Sequence, residues 1–311
     1  MTDDILIEAK HLWKRFGDQV AVEDVSLQIR AGEVYGLMGP DGAGKSTVIR
    51  LLCGVYAQDE GEVYLAGKRL ASEPDSARAN LGYLSQRFSL YSDLTVLENL
   101  RFFAEVRGIL GDGWRQRAQE TLEFVDMAEF SNRKAGALSG GMKQKLGLAA
   151  AMIHQPEILL LDEPSSGVDP VTRQAFWRLL TRLLQGGVAA LLSTPYMDEA
   201  MRCNRVGFMS KGRILLEGEP QELTKSLEGR LLRVRGEPIR AIARIAREIP
   251  SVESVQPFGD RLHLRIAAGT EREVIEEVQK AVDNKGLHLT SIRSASPDLE
   301  DVFVDLLEQR S

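Results

Sequence analysis

The chain has 311 residues, 43% of them hydrophobic and 27% charged, the balance of a globular protein and a length for two domains rather than one. Lys and Arg number 39 against 45 Asp and Glu, a formal net charge of −6, so nothing in the balance favours gripping a nucleic-acid backbone. The two cysteines, Cys53 and Cys203, lie far apart in no metal-ligand spacing, which excludes a disulfide framework and fits a reducing cytosol.

The opening MTDDILIEAK has neither a basic stretch nor a long apolar one, so no signal peptide is expected. No run approaches the roughly 18 apolar residues of a membrane span. The richest, 146–153, stops at His154-Gln155-Pro156.

In chain order, 5–9 and 26–29 alternate like half-buried strands. Residues 34–38 read as a short buried strand leading into a Gly-rich turn and a helix over 45–53. From about 87 to 140 the character changes. Segments 96–107 and 114–127 carry apolar residues at three- and four-residue spacing, which predicts an all-helical insert. Residues 158–161 are aliphatic and end in Asp-Glu, the pattern of a central strand with a site at its C-terminal end. Residues 189–193 form another such run. Beyond 229 the order is strand (230–235), helix (238–248), a hairpin (252–257 and 261–266) across Phe258-Gly259-Asp260, helix (271–284), strand (287–294) and helix (299–308). That succession predicts a ferredoxin-like α+β unit. The expected organisation is therefore an α/β domain over 1–228, built on a largely parallel sheet with a helical insert at 87–140, and a small α+β domain over 229–311.

The segment Gly39-Pro40-Asp41-Gly42-Ala43-Gly44-Lys45-Ser46-Thr47 matches G-x-x-x-x-G-K-[ST] between a strand and a helix. Glycines let successive backbone N–H groups turn inward, and the helix N-terminus adds its positive dipole end. Lys45 supplies a cation for the β- and γ-phosphates, and the Ser46 hydroxyl is a ligand for Mg²⁺. A Gly-rich turn that merely carries Lys-Ser would lack the flanking elements; with them the motif implies a nucleoside triphosphate. In Ile158-Leu159-Leu160-Leu161-Asp162-Glu163-Pro164, the strand end places Asp162 to hold a Mg²⁺-bound water. Glu163, one residue on, is the candidate general base.

Leu138-Ser139-Gly140-Gly141-Met142-Lys143-Gln144 opens a helix over 142–152 just ahead of that strand. In this position it resembles the signature sequence of ATP-binding cassette (ABC) ATPases, and the resemblance extends over 5–225. It implies a P-loop NTPase fold of ABC type, with ATP and Mg²⁺ bound. It implies further that Phe16 stacks on adenine and that Gln86 contacts Mg²⁺ and takes part in catalysis. Ser139, Gly140, Gly141 and Asp169, the last in Ser165-Ser166-Gly167-Val168-Asp169-Pro170, would serve the nucleotide shared with a second cassette. The metal set would be Ser46, Gln86 and Asp162. The P-loop, the signature and Tyr196-Met197-Asp198-Glu199-Ala200 are similar to those of the drug-export branch, above all to the first cassette of tandem multidrug exporters. The tail Ser296-Pro297-Asp298-Leu299-Glu300-Asp301-Val302-Phe303 resembles that branch's C-terminal extension.

One position departs from the pattern. Where the family carries a histidine that contacts the γ-phosphate, this chain has Pro195, which offers neither a side-chain donor nor a backbone N–H. Either Thr194 or a neighbour compensates, or the chain completes a competent site on a different cassette while its own site mostly binds. The resemblance favours the second arrangement, with a homodimer as the alternative. It also implies integral membrane permease subunits as partners and a place on the cytoplasmic face of the cell membrane, with no nucleic acid bound. Residues 87–94 and 97–103, with Phe88, Leu90, Tyr91, Phe102 and Phe103, are unusually aromatic for a solvated loop and helix, and would meet the permease. His263 and His288 stand isolated on strand-like segments and read as packing or surface residues. Two other classes compete with the exporter subunit: a soluble ABC ATPase without transport, and a nucleotide-gated partner with negligible catalysis.

Overall fold

Buried and exposed residues alternate at the N-terminus over a longer span than the sequence pattern predicts. In the computed structural model, which describes residues 5–86 and 90–308, β1 (Ile5–Phe16) and β2 (Gln19–Arg30) are each 12 residues long and pair antiparallel across a tight turn. Irregularities in their register interrupt the strict two-residue period, so only part of each strand is visible as alternation. The following elements are β3 (Val34–Met38), α1 (Lys45–Leu52), β4 (Glu60–Leu65), β5 (Lys68–Arg69), α2 (Pro74–Arg78) and β6 (Leu81–Leu84). Then come α3 (Val96–Val106), α4 (Gly113–Phe124), α5 (Gly140–Met152), β7 (Ile158–Asp162), α6 (Pro170–Gln185), β8 (Ala189–Thr194), α7 (Met197–Ala200), β9 (Arg205–Ser210) and β10 (Arg213–Gly218).

The expected parallel sheet is one of two in this unit. It has the order β10-β9-β3-β8-β7-β6, with only β10 antiparallel, and a separate antiparallel sheet runs β2-β1-β4-β5. The central strands β3, β7 and β8 are buried at every residue, as expected where both faces of a parallel sheet are covered. Leu37, Val48, Ile49, Leu51, Leu160 and Leu191 share one core with Ile7, Val25 and Ile29 of the antiparallel sheet. Helices α3, α4 and α5 pack on one another as the insert. A capping box between Thr95 and Glu98 starts α3. Fully buried Asn99 ties the preceding loop to it, with Nδ2 donating to the carbonyls of Tyr91 and Thr95 and Oδ1 accepting from the Tyr91 N–H.

The chain divides into two compact units at Gly218/Glu219, ten residues earlier than the composition shift suggests. The reason is α8 (Pro220–Lys225), which packs on α11 (Leu299–Glu308) of the second unit. The remaining elements are β11 (Leu231–Glu237), α9 (Ile239–Arg247), β12 (Val252–Phe258), β13 (Arg261–Ile266), α10 (Glu271–Asn284) and β14 (His288–Ser294). The sheet order β12-β13-β11-β14, antiparallel throughout, is that of a ferredoxin-like split βαβ. Leu262, Leu264 and Ile266 of β13 face the helices with Ile242, Ile245, Val274 and Val278. By the two-residue period His263 and Arg265 point to the other side, where α11 covers them. His263 is accordingly not isolated: its Nδ1 lies 2.6 Å from Oδ1 of Asp301, and both side chains are buried. Among the described residues no helix is long and apolar enough to cross a membrane.

Candidate nucleotide site

Strand order builds this site. In the parallel sheet β8 lies between β3 and β7, with Met38 beside Thr194 and Ser193 beside Asp162. The segments leaving the C-terminal ends of the three strands are the Gly39–Thr47 loop, Glu163 and Pro195. They emerge at one edge, where open α/β sheets bind ligands.

Within the loop the backbone dictates the residues. Gly44 has φ +108, and a Cβ there would stand 2.4 Å from the Ala21 carbonyl oxygen, so only glycine fits. Pro40, Asp41 and Gly42 are exposed, while Gly39 and Ala43 are buried. Gly44, Ser46 and Thr47 are half-buried at the start of α1. Lys45 is buried, and its ammonium donates to the carbonyls of Gly39 (2.7 Å) and Pro40 (3.0 Å). Burial lowers its pKa against the opposing pull of Glu163, Asp41 and Asp162. A polyphosphate entering the loop exchanges carbonyl acceptors for charged ones, which favours the ammonium form.

The second half of the site is a chain of oxygens around the buried Asp162. Ser46 Oγ (2.9 Å) and Ser193 Oγ (2.7 Å) both donate to Oδ1 of Asp162. Oδ2 of Asp162 is buried without a hydrogen-bond partner. Such an orphaned carboxylate oxygen beside a serine hydroxyl is a donor set suited to a hard divalent cation. Glu163 follows with φ +46, a conformation costly for a residue with a side chain and found where surrounding contacts enforce it. Its N–H donates to Ser193 Oγ (2.9 Å) and Ser193 O (3.2 Å), and its Oε2 accepts from Gln86 Nε2 at 2.8 Å. The structure thus brings together Lys45, Ser46, Asp162, Glu163 and Gln86. Ser193 joins them unanticipated; the signal for it was a polar pair, Ser193-Thr194, closing an otherwise aliphatic strand.

Other expected site residues lie outside that cluster. Phe16, at the end of β1, is 45% exposed, edge-on to Tyr56 at 5.3 Å, with Lys14 Nζ 5.6 Å from its ring. It is open to stacking rather than committed to the core. Ser139 caps α5 by accepting from the Met142 N–H, and Gly140 has open space where a Cβ would be. A Cβ on Gly141 would stand 2.4 Å from Thr172 Cγ2. Asp169 caps α6, accepting from the N–H groups of Val171 and Thr172 and from Thr172 Oγ1. The side chain and backbone N–H of Thr172 hold its carboxyl below the usual range. Thr194, directly before Pro195, is fully buried and already engaged: its Oγ1 donates to Glu199 Oε2 at 2.6 Å and accepts from the Tyr196 N–H. Of the aromatic surface, Tyr91 is 50% and Phe102 36% exposed, and Tyr91, Phe102 and Phe103 stack edge-to-face. Leu90 and Phe103 line an adjoining cavity of about 510 Å³ that also reaches Gln86. Phe88 lies outside the described residues.

The ABC transporter family profile matches residues 22–166, from β2 through the P-loop, the signature and Glu163. The probable multidrug ABC transporter ATP-binding protein YbhF of Escherichia coli (strain K12) is 39% identical over 309 residues, 98% of this chain and 52% of that protein. The chain therefore spans about half the length of that relative. The daunorubicin resistance ATP-binding protein DrrA2 of Streptomyces coeruleorubidus is 32% identical over 99% of this chain and 97% of its own length. A solved dimeric ATP-binding cassette in a post-hydrolysis state, bound to ADP and Pi, superimposes with a TM-score of 0.62 at 28% identity, over 69% of this chain and 98% of that one. With a P-loop core of this geometry and a relative matched along almost its whole length, the chain belongs to the ABC transporter family, as one of its ATP-binding cassettes.

Proposed function

We propose that the chain is the ATP-hydrolysing subunit of an exporter, pairing with a second cassette on ATP to drive integral membrane permease subunits at the cytoplasmic face. The observation that carries the reading is the cluster at the strand ends, where Asp162, Glu163 and Gln86 converge on the P-loop. Mg²⁺ held by Ser46, Asp162 and Gln86 would neutralise charge on the β- and γ-phosphates. Glu163 accepts a proton from the attacking water, and Gln86 holds the Glu163 carboxylate in place. Lys45 and the α1 N-terminus bind the phosphates, and Phe16 offers the adenine a stacking face. Multidrug and daunorubicin resistance in the names of the relatives support a drug-like cargo.

Pairing is with a different cassette. Pro195 cannot donate to the γ-phosphate, and the Thr194 proton is already given to Glu199. The chain's own site therefore binds ATP and turns it over weakly, while Ser139–Gly141 complete the partner's site.

The exposed pair Tyr91 and Phe102 supports permease docking beside the Gln86 loop. In its native cells the tagged chain is expected in the membrane fraction. Tyr91→Asp with Phe102→Asp is expected to release it while leaving ATP binding unchanged. A wild-type chain that stays off membranes, or a double variant that stays on, would overturn the reading.

A further inference from the structure

Glu199 has no part in the nucleotide chemistry above, yet it is only 1% exposed. A buried carboxylate persists where polar groups hold it, and three do. Thr194 Oγ1 donates to Oε2 at 2.6 Å, Ser165 Oγ donates to Oε1, and Arg173 Nε lies 3.7 Å from Oε1. Ser165 and Thr194 are themselves buried.

These partners belong to three different segments. Ser165 sits in the turn two residues past Glu163, Thr194 ends β8 directly before Pro195, and Arg173 lies in the first turns of α6, which Asp169 caps. Glu163 itself is held with φ +46. On its own side Ser193 fixes its N–H; on the far side the only side-chain hydrogen bond of Ser165 among the described residues is to Glu199. A left-handed backbone at a residue with a side chain persists when contacts constrain it from both ends.

We propose that Glu199 is a positioning residue: it clamps the 163–169 turn to the end of β8, so that Glu163 keeps its strained backbone and moves as one body with the Pro195 position. The clamp rests on the reading of Glu163 as general base, and it adds a link between the turn that faces the second cassette and the strand end that faces the phosphates. At the point where this cassette lacks the histidine, the strand end is held by a buried carboxylate behind it.

The test compares wild type with Glu199→Ala and Glu199→Gln, using the full chain. Amide exchange over 163–169 and 193–197 is expected to quicken in Glu199→Ala by about tenfold in both segments. ATP affinity, read with a fluorescent ATP analogue, is expected to stay unchanged. Turnover is expected to fall by about 10- to 100-fold in kcat with KM constant, since small misplacement of a general base has effects of that size. Glu199→Gln accepts from Thr194 through its amide oxygen and donates to Ser165 Oγ through its NH2, so it keeps both arms and is expected to restore most of both properties. Exchange that quickens in one segment only or in neither overturns the clamp, as does a parallel loss of ATP affinity. Should Glu199→Ala not fold, Ser165→Ala and Thr194→Val each remove one arm, and each is expected to loosen both segments. Glu163→Gln serves as reference: equal turnover in wild type and Glu163→Gln rejects the general-base reading, and the exchange result still decides the clamp.

Discussion

At the scale of single residues, the loop glycines and the oxygens around Asp162 carry the account. Gly44→Ala would force a left-handed backbone at a residue with a Cβ, at about 1–2 kcal/mol, and drive that Cβ onto the Ala21 carbonyl at 2.4 Å. Loss of ATP affinity by about tenfold or more is the expected outcome, with a melting temperature lowered by several degrees from the same strain. Equilibrium titration with a fluorescent ATP analogue measures it, and unaltered affinity would contradict the role given to the loop. The P-loop and Asp162-Glu163 are readable from sequence because phosphate and cation chemistry demand particular residue types at fixed spacing along one segment. Ser193 and Glu199 are not readable in that way. Ser193 meets Asp162 through the β7–β8 register, and Glu199 meets Ser165 across 34 positions of sequence, so no local pattern announces either contact.

At the scale of elements, the N-terminal strands and α11 show where periodicity stops informing. Residues 261–266, 271–284 and 299–308 are read at their observed bounds because each has one unbroken period, and 34–38 because it is a short buried run that ends at the Gly-rich turn. The antiparallel β2-β1-β4-β5 sheet escapes, since irregular register breaks its alternation. Helix α6 escapes too, although Asp169-Pro170 at its start is a capping signal. Helix α11 meets the sheet with a polar stripe: Asp301 on His263, Asp305 on Arg265 and Glu308 on Gln256. Burial pushes the Asp301 carboxyl up, but the hydrogen bond from His263 and the Asp298 backbone N–H outweigh it, and its pKa lies below the usual value. A depressed folded pKa contributes stability above the unfolded value of about 3.9 and loses it as pH falls through the folded one. Protection of the α11 amides in wild type is therefore expected to exceed that of Asp301→Asn at neutral pH. The difference should shrink as pH drops below about 4. A difference that is the same at both pH values would contradict the pairing as the hold on α11.

At the scale of the whole molecule, a P-loop core, a helical insert with an exposed aromatic surface, and a ferredoxin-like unit sit on one acidic chain. In the proposed function the first of these binds and hydrolyses ATP and the second meets a membrane partner. Pro195 makes this cassette unequal to one with a histidine. The Thr194 proton is committed to Glu199, so Thr194 does not replace the missing donor. The proposed pairing with a different cassette predicts weak turnover by the chain alone.

Steady-state Mg²⁺-ATP hydrolysis by the purified chain, beside Pro195→His and Pro195→His with Glu163→Gln, tests this most directly. Wild type is expected to bind ATP and turn it over weakly. Pro195→His should raise the rate by about 10²–10³-fold, the worth of one transition-state donor. Adding Glu163→Gln should remove that gain. Brisk hydrolysis by wild type, unmoved by Pro195→His, would contradict it and leave a self-sufficient homodimer in its place.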